Sequence, residues 1–151
     1  MPKKIIFTKD GYDELLKEKL NLQKQRVLAV AELQRSRELG DLSENAAYKV
    51  ARSKLTSIDV RLRRLDKICR SVEVLESPSK DFADIGSRVS LQSKTETKEI
   101  VLVGGYESDI TKGKISIYSP VGKAVRGKKQ GDTVKVSIPH GVVSYTVLKI
   151  G

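Results

Sequence analysis

Asp41 and Glu44 stand three residues apart in the stretch Gly40-Asp41-Leu42-Ser43-Glu44-Asn45-Ala46-Ala47-Tyr48. Two carboxylates at this spacing have two chemical uses. The first is local. Asp-x-x-Glu ahead of a helix resembles a capping box, with Asp41 accepting from the Glu44 N–H and Glu44 reaching back. Negative charge also suits a helix N-terminus. Such a cap contributes only about 1 kcal/mol, and on pattern alone it is the better reading. The second use is metal chemistry. Mg²⁺ takes about six oxygens and is usually held by one or two carboxylates together with waters and phosphates. Two carboxylates on an exposed turn leave such a site incomplete, so they would contribute to one whose other ligands belong to a partner. In a two-metal phosphodiester site, an ion held this way activates a water for in-line attack.

No other constellation competes. His140 is the only histidine and sits in the turn-like Pro139-His140-Gly141, where a solvated ring is expected. There is no Cys/His cluster for zinc. Gly104-Gly105 and Gly122…Gly127 lack the lysine–serine/threonine context of a phosphate-binding loop. No nucleophile–base pair suggests itself, so the chain does not read as a free-standing enzyme.

The elements that must position Asp41 and Glu44 are two helices. From Tyr12 to Leu39 there is neither Pro nor Gly, and Thr8 is a plausible N-cap with Lys9 to Asp13 as first turn. Leu16, Leu20, Val27 and Val30 recur at coiled-coil spacing, with Gln23 and Gln34 on the same stripe. This helix of 28 residues would be roughly 40 Å long. The second helix has the cleaner pattern: Ala51, Leu55, Ile58, Leu62, Leu65, Cys69 and Val72 step by 4, 3, 4, 3, 4, 3. Gly40 is the only glycine between Gly11 and Gly86. A break there folds the helices back into an antiparallel hairpin, each stripe burying the other. Asp41 and Glu44 then lie at its far tip.

Ser77-Pro78-Ser79 reads as a linker, and beyond it the hydrophobic period changes from helical to alternating. Strands are predicted at 88–92, 99–103, 114–118, 133–138 and 143–147, the last two joined by a hairpin at Pro139-His140-Gly141. Pro120 to Val125 suits one short helix ended by Gly127. The fold class is therefore α+β: a coiled-coil hairpin domain over residues 1–76 and a small antiparallel sheet domain with a short helix over residues 80–151.

The formal net charge is +10, which favours a polyanionic partner, nucleic acid before acidic membrane. Each half of the chain carries +5, but residues 52–70 concentrate seven basic side chains (Arg52, Lys54, Arg61, Arg63, Arg64, Lys67, Arg70) against Asp59 and Asp66. That density suits phosphate-backbone contact, although a solvated face is the commoner use. Tyr48, one turn past the tip, could stack on a base or pack on Leu39 or Leu42. Cys69 is the only cysteine, which excludes an intramolecular disulfide and fits a reducing cytosol; its place in the stripe suggests a packed thiol. No apolar run approaches the roughly 18 residues of a membrane span, and no signal-peptide core is evident. A cytoplasmic protein without membrane contact is expected. The helix seam can be satisfied within one chain, so a monomer is expected too.

The segments Phe7-Thr8-Lys9-Asp10-Gly11-Tyr12, Gly40-Asp41-Leu42-Ser43-Glu44-Asn45-Ala46, Gly113-Lys114-Ile115-Ser116 through Ser119-Pro120, and Gly127-Lys128 through Gly131-Asp132-Thr133-Val134 together make the chain recognisable. It resembles the Gre transcript-cleavage factors of bacterial RNA polymerase, of the GreA type, over nearly its whole length. The resemblance implies an FKBP-like second domain, without implying prolyl isomerase activity. It implies that the hairpin enters the secondary channel of a backtracked polymerase. There Asp41 and Glu44 would help hold the second Mg²⁺ of the polymerase site, with no cofactor bound by the factor alone. The polymerase would then hydrolyse its own transcript near the 3′ end, the factor acting as an accessory and not as an enzyme. The loop at Ser119-Pro120 would dock on the polymerase, and Arg37, Tyr48 and Arg52 would lie near the nascent RNA 3′ end.

Two other functions stay open on sequence. A regulator of the same fold could bind the channel and inhibit without inducing cleavage; the intact Asp41/Glu44 pair argues against it. A basic coiled-coil module could bind nucleic acid or an acidic protein by itself, a reading that positive charge alone supports.

Overall fold

A computed structural model describes residues 3–41, 44–75 and 80–151. Leu42 and Ser43 of the tip, and the predicted linker Ser77-Pro78-Ser79, lie outside the described residues. The chain divides into two compact units: residues 13–71, and residues 3–12 together with 72–151. The sequence reading counts residues 1–76 with the hairpin; in the structure the first strand and the segment after the second helix group with the sheet instead.

The hairpin unit contains most of α1 (Lys9–Arg37) and all of α2 (Ala46–Cys69). Cross-helix ion pairs show the antiparallel sense, since partners descend along α2 as α1 ascends: Lys19 with Asp66, Arg26 with Asp59, Lys54 with Glu32. The predicted stripe of α2 faces α1 as far as Cys69, with Ala51, Ile58 and Leu65 buried, Leu55, Leu62 and Cys69 half-buried, and Ile68 joining them; Val72, expected to end the stripe, lies instead in a strand of the other unit.

The seam of α1 differs from expectation. Leu16, Leu20 and Val27 are 41%, 54% and 70% exposed. Leu15 and Ala29 are buried instead, with Leu22 and Leu33 half-buried and Ser36 buried near the end. Adding Lys19 and Arg26 to this set restores the 4-and-3 spacing without a gap. Two cations thus stand on the seam, where an apolar count passes over them. Their stems can cover apolar surface while their heads reach outward, here to Asp66 at 2.7 Å and Asp59 at 2.6 Å.

In the other unit, β1 (Ile5–Phe7) pairs in parallel with β2 (Val72–Val74). A five-stranded sheet is built from β3 (Arg88–Gln92), β4 (Thr97–Val103), β5 (Lys114–Ser116), β6 (Thr133–Ile138) and β7 (Gly141–Ile150), in the order β5-β4-β3-β7-β6. Alternation aims Val89, Leu91, Ile100, Leu102, Val134, Val136, Tyr145 and Val147 into one core. Each fully buried Val or Leu contributes about 1.5–3 kcal/mol. The β6–β7 hairpin turns at Pro139-His140, with Gly141 at φ +133°, as the sequence predicts. The sheet is not wholly antiparallel, however: β4 and β5 run parallel. The connection between them is long enough to cross over and carries short 3₁₀ turns at Gly105–Glu107 and Ile110–Lys112, which a parallel pair requires and a hairpin does not. The short helix α3 (Pro120–Val125) forms where expected, adds Val125 to the core and packs against β6 and β5.

Candidate functional site at the hairpin tip

At the end of α1 the backbone tightens, with Glu38 and Leu39 N–H donating to the carbonyls of Arg35 and Ser36. Gly40 follows at φ +129°, a left-handed conformation that favours glycine. Asp41 and Glu44 are both exposed. Neither is the helix cap. Asn45 holds that position: its Oδ1 accepts from the Tyr48 N–H at 3.0 Å. Its Nδ2 donates to the Ser36 carbonyl at 2.6 Å. One side chain therefore satisfies an orphan donor at the start of α2 and adds a second donor to a carbonyl near the end of α1, which already accepts from the Leu39 N–H. Sequence reasoning placed the cap four residues too early because Asp and Asn are nearly equal as caps and the Asp-x-x-Glu spacing drew attention to Asp41. The signal that could have found Asn45 is its position directly before the uninterrupted helical run from Ala46.

Behind the carboxylates lie the three residues expected near RNA. The Arg37 guanidinium sits over the Tyr48 ring, 5.7 Å from its centroid, a cation–π arrangement. Arg52 follows Tyr48 by one helical turn and is exposed. The structure thus brings Arg37 and Tyr48 together across the hairpin and places Arg52 on the same side of α2 as Tyr48.

Part of the basic flank is consumed within the hairpin. Arg61 Nε and Nη2 donate to the two carboxylate oxygens of Glu18 at 2.7 and 3.0 Å. That hydrogen bond is the main reason the guanidinium pKa is raised. Lys54 lies 3.6 Å from Glu32. Hydrogen bonding to Asp59 likewise raises the pKa of Arg26, and hydrogen bonding from Lys19 lowers that of Asp66. Arg52, Arg63, Arg64, Lys67 and Arg70 are exposed.

Ser119 and Pro120, expected at a docking loop, open α3. The Ser119 hydroxyl accepts from the Gly122 N–H at 3.0 Å and donates to the Ser116 carbonyl at 2.6 Å. Pro120 is exposed at the first helical position, a place suited to its fixed φ. Tyr118 beside them is 55% exposed.

Exposed carboxylate oxygens are the hard donors that Mg²⁺ takes, so Asp41 and Glu44 fit that ion chemically. Among the described residues no group of three or more His, Cys, Asp or Glu could hold a metal. No helix among the described residues is long and apolar enough to cross a membrane.

An acidic-tipped helical hairpin unit and a β-sheet unit make the chain a two-unit α+β protein. The particular family follows from its relatives. Residues 5–74 match the family of transcription elongation factor N-terminal domains, and residues 78–151 match the GreA/GreB C-terminal family. The chain is 37% identical over 154 residues to transcription elongation factor GreA of Thermosipho melanesiensis, covering 99% of each. It is 37% identical over 156 residues to the GreA of Syntrophobacter fumaroxidans, again covering 99% of each. Among solved structures, GreA factor homolog 1 of Thermus thermophilus aligns over 99% of both chains at 27% identity and a TM-score of 0.47. The chain belongs to the GreA/GreB family of transcription elongation factors and is of the GreA type.

Proposed function

We propose that this protein binds bacterial RNA polymerase through its secondary channel and stimulates the polymerase's own cleavage of backtracked transcripts near the 3′ end. The observation that carries this reading is the division of labour at the tip. Asn45 caps α2, while Asp41 and Glu44 are exposed at the end of the rod. Carboxylates placed there are suited to lending oxygens to a metal whose other ligands lie in the polymerase. When bound, that Mg²⁺ supplies an activated water and charge stabilisation for phosphodiester hydrolysis. The chain's own residues deliver and orient. Asp41 and Glu44 would hold the ion. Arg37, seated on Tyr48, and Arg52 would meet the extruded RNA. The Ser119-Pro120 corner would dock on the polymerase, with Pro120 and Tyr118 as its outward surface, since the Ser119 hydroxyl is engaged in capping α3.

The test is release of short 3′ RNA fragments from stalled, backtracked complexes in the presence of Mg²⁺. Wild-type protein should release them. Asp41→Ala and Glu44→Ala should abolish release while still competing with wild type for polymerase. Full activity in both variants would remove the metal role. Inhibition of nucleotide addition without fragment release would instead identify a channel-binding inhibitor.

A further inference from the structure

The motif Phe7-Thr8-Lys9-Asp10-Gly11-Tyr12 has no part in the tip, yet it builds an unusual helix start. Thr8 precedes α1, and its Oγ1 accepts from the Gly11 N–H at 3.1 Å. In an ordinary capping box the residue at the Gly11 position is Glu or Gln, whose side chain accepts from the cap residue's own N–H. Here that position is a buried glycine. The carboxylate comes from Glu107, 99 residues along the chain: Oε1 accepts from the Thr8 N–H at 2.6 Å, and Oε2 accepts from the Thr8 hydroxyl at 2.8 Å. The glycine makes room for this arrangement: a Cβ on Gly11 would run into the Glu107 carboxylate where it now lies, and the carboxylate would have to move. Next to it, Phe7 stacks on Tyr106 with centroids 6.2 Å apart. All these residues belong to the β-sheet unit, while α1 runs unbroken from this socket to Arg37.

We infer that Glu107 is a positioning residue, a capping carboxylate supplied from a distance so that the root of α1 is tied to the β-sheet unit. The inference rests on the transcript-cleavage reading for its functional consequence. A helix of 29 residues is roughly 43 Å long. A tilt of about 10° at such a root displaces the far end by about 7 Å at this length. Metal ligation tolerates only about 0.2 Å. A local Glu at position 11 would cap the helix equally well but would remove the Glu107 tie, leaving the root held through Phe7 and the β1–β2 pair alone, and the two cases can be told apart.

Three proteins are compared in the fragment-release assay: wild type, Glu107→Ala, and the double variant Gly11→Glu/Glu107→Ala, which rebuilds a local capping box. Thermal unfolding is followed in parallel. The double variant should recover the thermal stability lost in Glu107→Ala. Both variants should nonetheless cleave about 100-fold more slowly at saturating factor, the scale of loss from an ångström-level misplacement, with the half-saturating concentration unchanged. Recovery of cleavage together with stability in the double variant would show that Glu107 is only a cap and overturn the proposal. So would wild-type rates throughout, or an effect confined to the half-saturating concentration. If wild-type protein releases no fragments, the cleavage reading itself fails, and distances between spin labels decide the tie. With labels at Lys24→Cys and Lys135→Cys in a Cys69→Ser background, the distribution should broaden in both variants. Equal widths in all three proteins would overturn the tie.

Discussion

Asn45 Nδ2 donates to the Ser36 carbonyl at 2.6 Å while the same side chain accepts from the Tyr48 N–H at 3.0 Å. This pair of bonds joins the end of α1 to the start of α2 at the point where the chain reverses. It also gives the cap position of α2 to Asn45, and to neither Asp41 nor Glu44.

The two bonds can be separated. Asn45→Ala loses both, and should cost about 1–2 kcal/mol, seen as a lower midpoint in thermal unfolding followed by helical circular dichroism. Asn45→Asp keeps an acceptor for the Tyr48 N–H but loses the donor to Ser36. It should fall between wild type and the alanine variant. Equal stability of Asn45→Asp and wild type would show that the Ser36 bond contributes nothing.

Gly40 has room for a side chain, with no atom within 4 Å of an added Cβ, yet its φ is +129°. Any cost of Gly40→Ala is therefore one of backbone conformation. A loss of about 1–3 kcal/mol is expected for a non-glycine residue held in such a region. An unchanged unfolding midpoint in Gly40→Ala would contradict it.

Gly122 is the opposite case. An added Cβ would collide with the Ser116 carbonyl, which is backbone and cannot swing aside. Gly122→Ala should displace α3 and destabilise the β-sheet unit by about 1–3 kcal/mol, the range for overpacking. Amide exchange resolved by residue should show the loss around β5 and α3 and leave α2 untouched.

Acid should weaken the hairpin through Asp66. Its pKa is lowered from the ordinary 3.8, first by the hydrogen bond from Lys19. A carboxylate with a depressed folded-state pKa contributes stability above its unfolded pKa, and that contribution is lost as pH falls through the folded value. The unfolding midpoint of wild type should thus drop more than that of Asp66→Asn as pH falls from about 5 to below 3. Parallel curves for the two proteins would rule out the linkage.

Much of this protein is legible from residue pattern. The α2 stripe, the short helix from Pro120, the hairpin at Pro139-His140 and most strand positions follow from hydrophobic period and turn chemistry, because each depends on neighbours a few residues apart. The polarity of the tip is equally local: Gly40, Asp41 and Glu44 fall within one five-residue stretch. What sequence could not decide is which of two stripes on α1 becomes the seam. Leu16, Leu20, Val27 and Val30 are more apolar than Leu15, Lys19, Leu22, Arg26 and Ala29. The second set faces α2, with Lys19 and Arg26 opposite Asp66 and Asp59, and that complementarity exists only once the two helices meet. The cap passed from Asp41 to Asn45 for a similar reason, since Asn45 alone carries both an acceptor for Tyr48 and a donor for Ser36. The parallel β4–β5 pair and the reach of Glu107 to Thr8 are likewise non-local. Sequence by itself determined the elements and the chemistry available at the tip. Tertiary structure decided which groups face one another, because ion pairs, distant caps and strand order are properties of residues that only folding brings together.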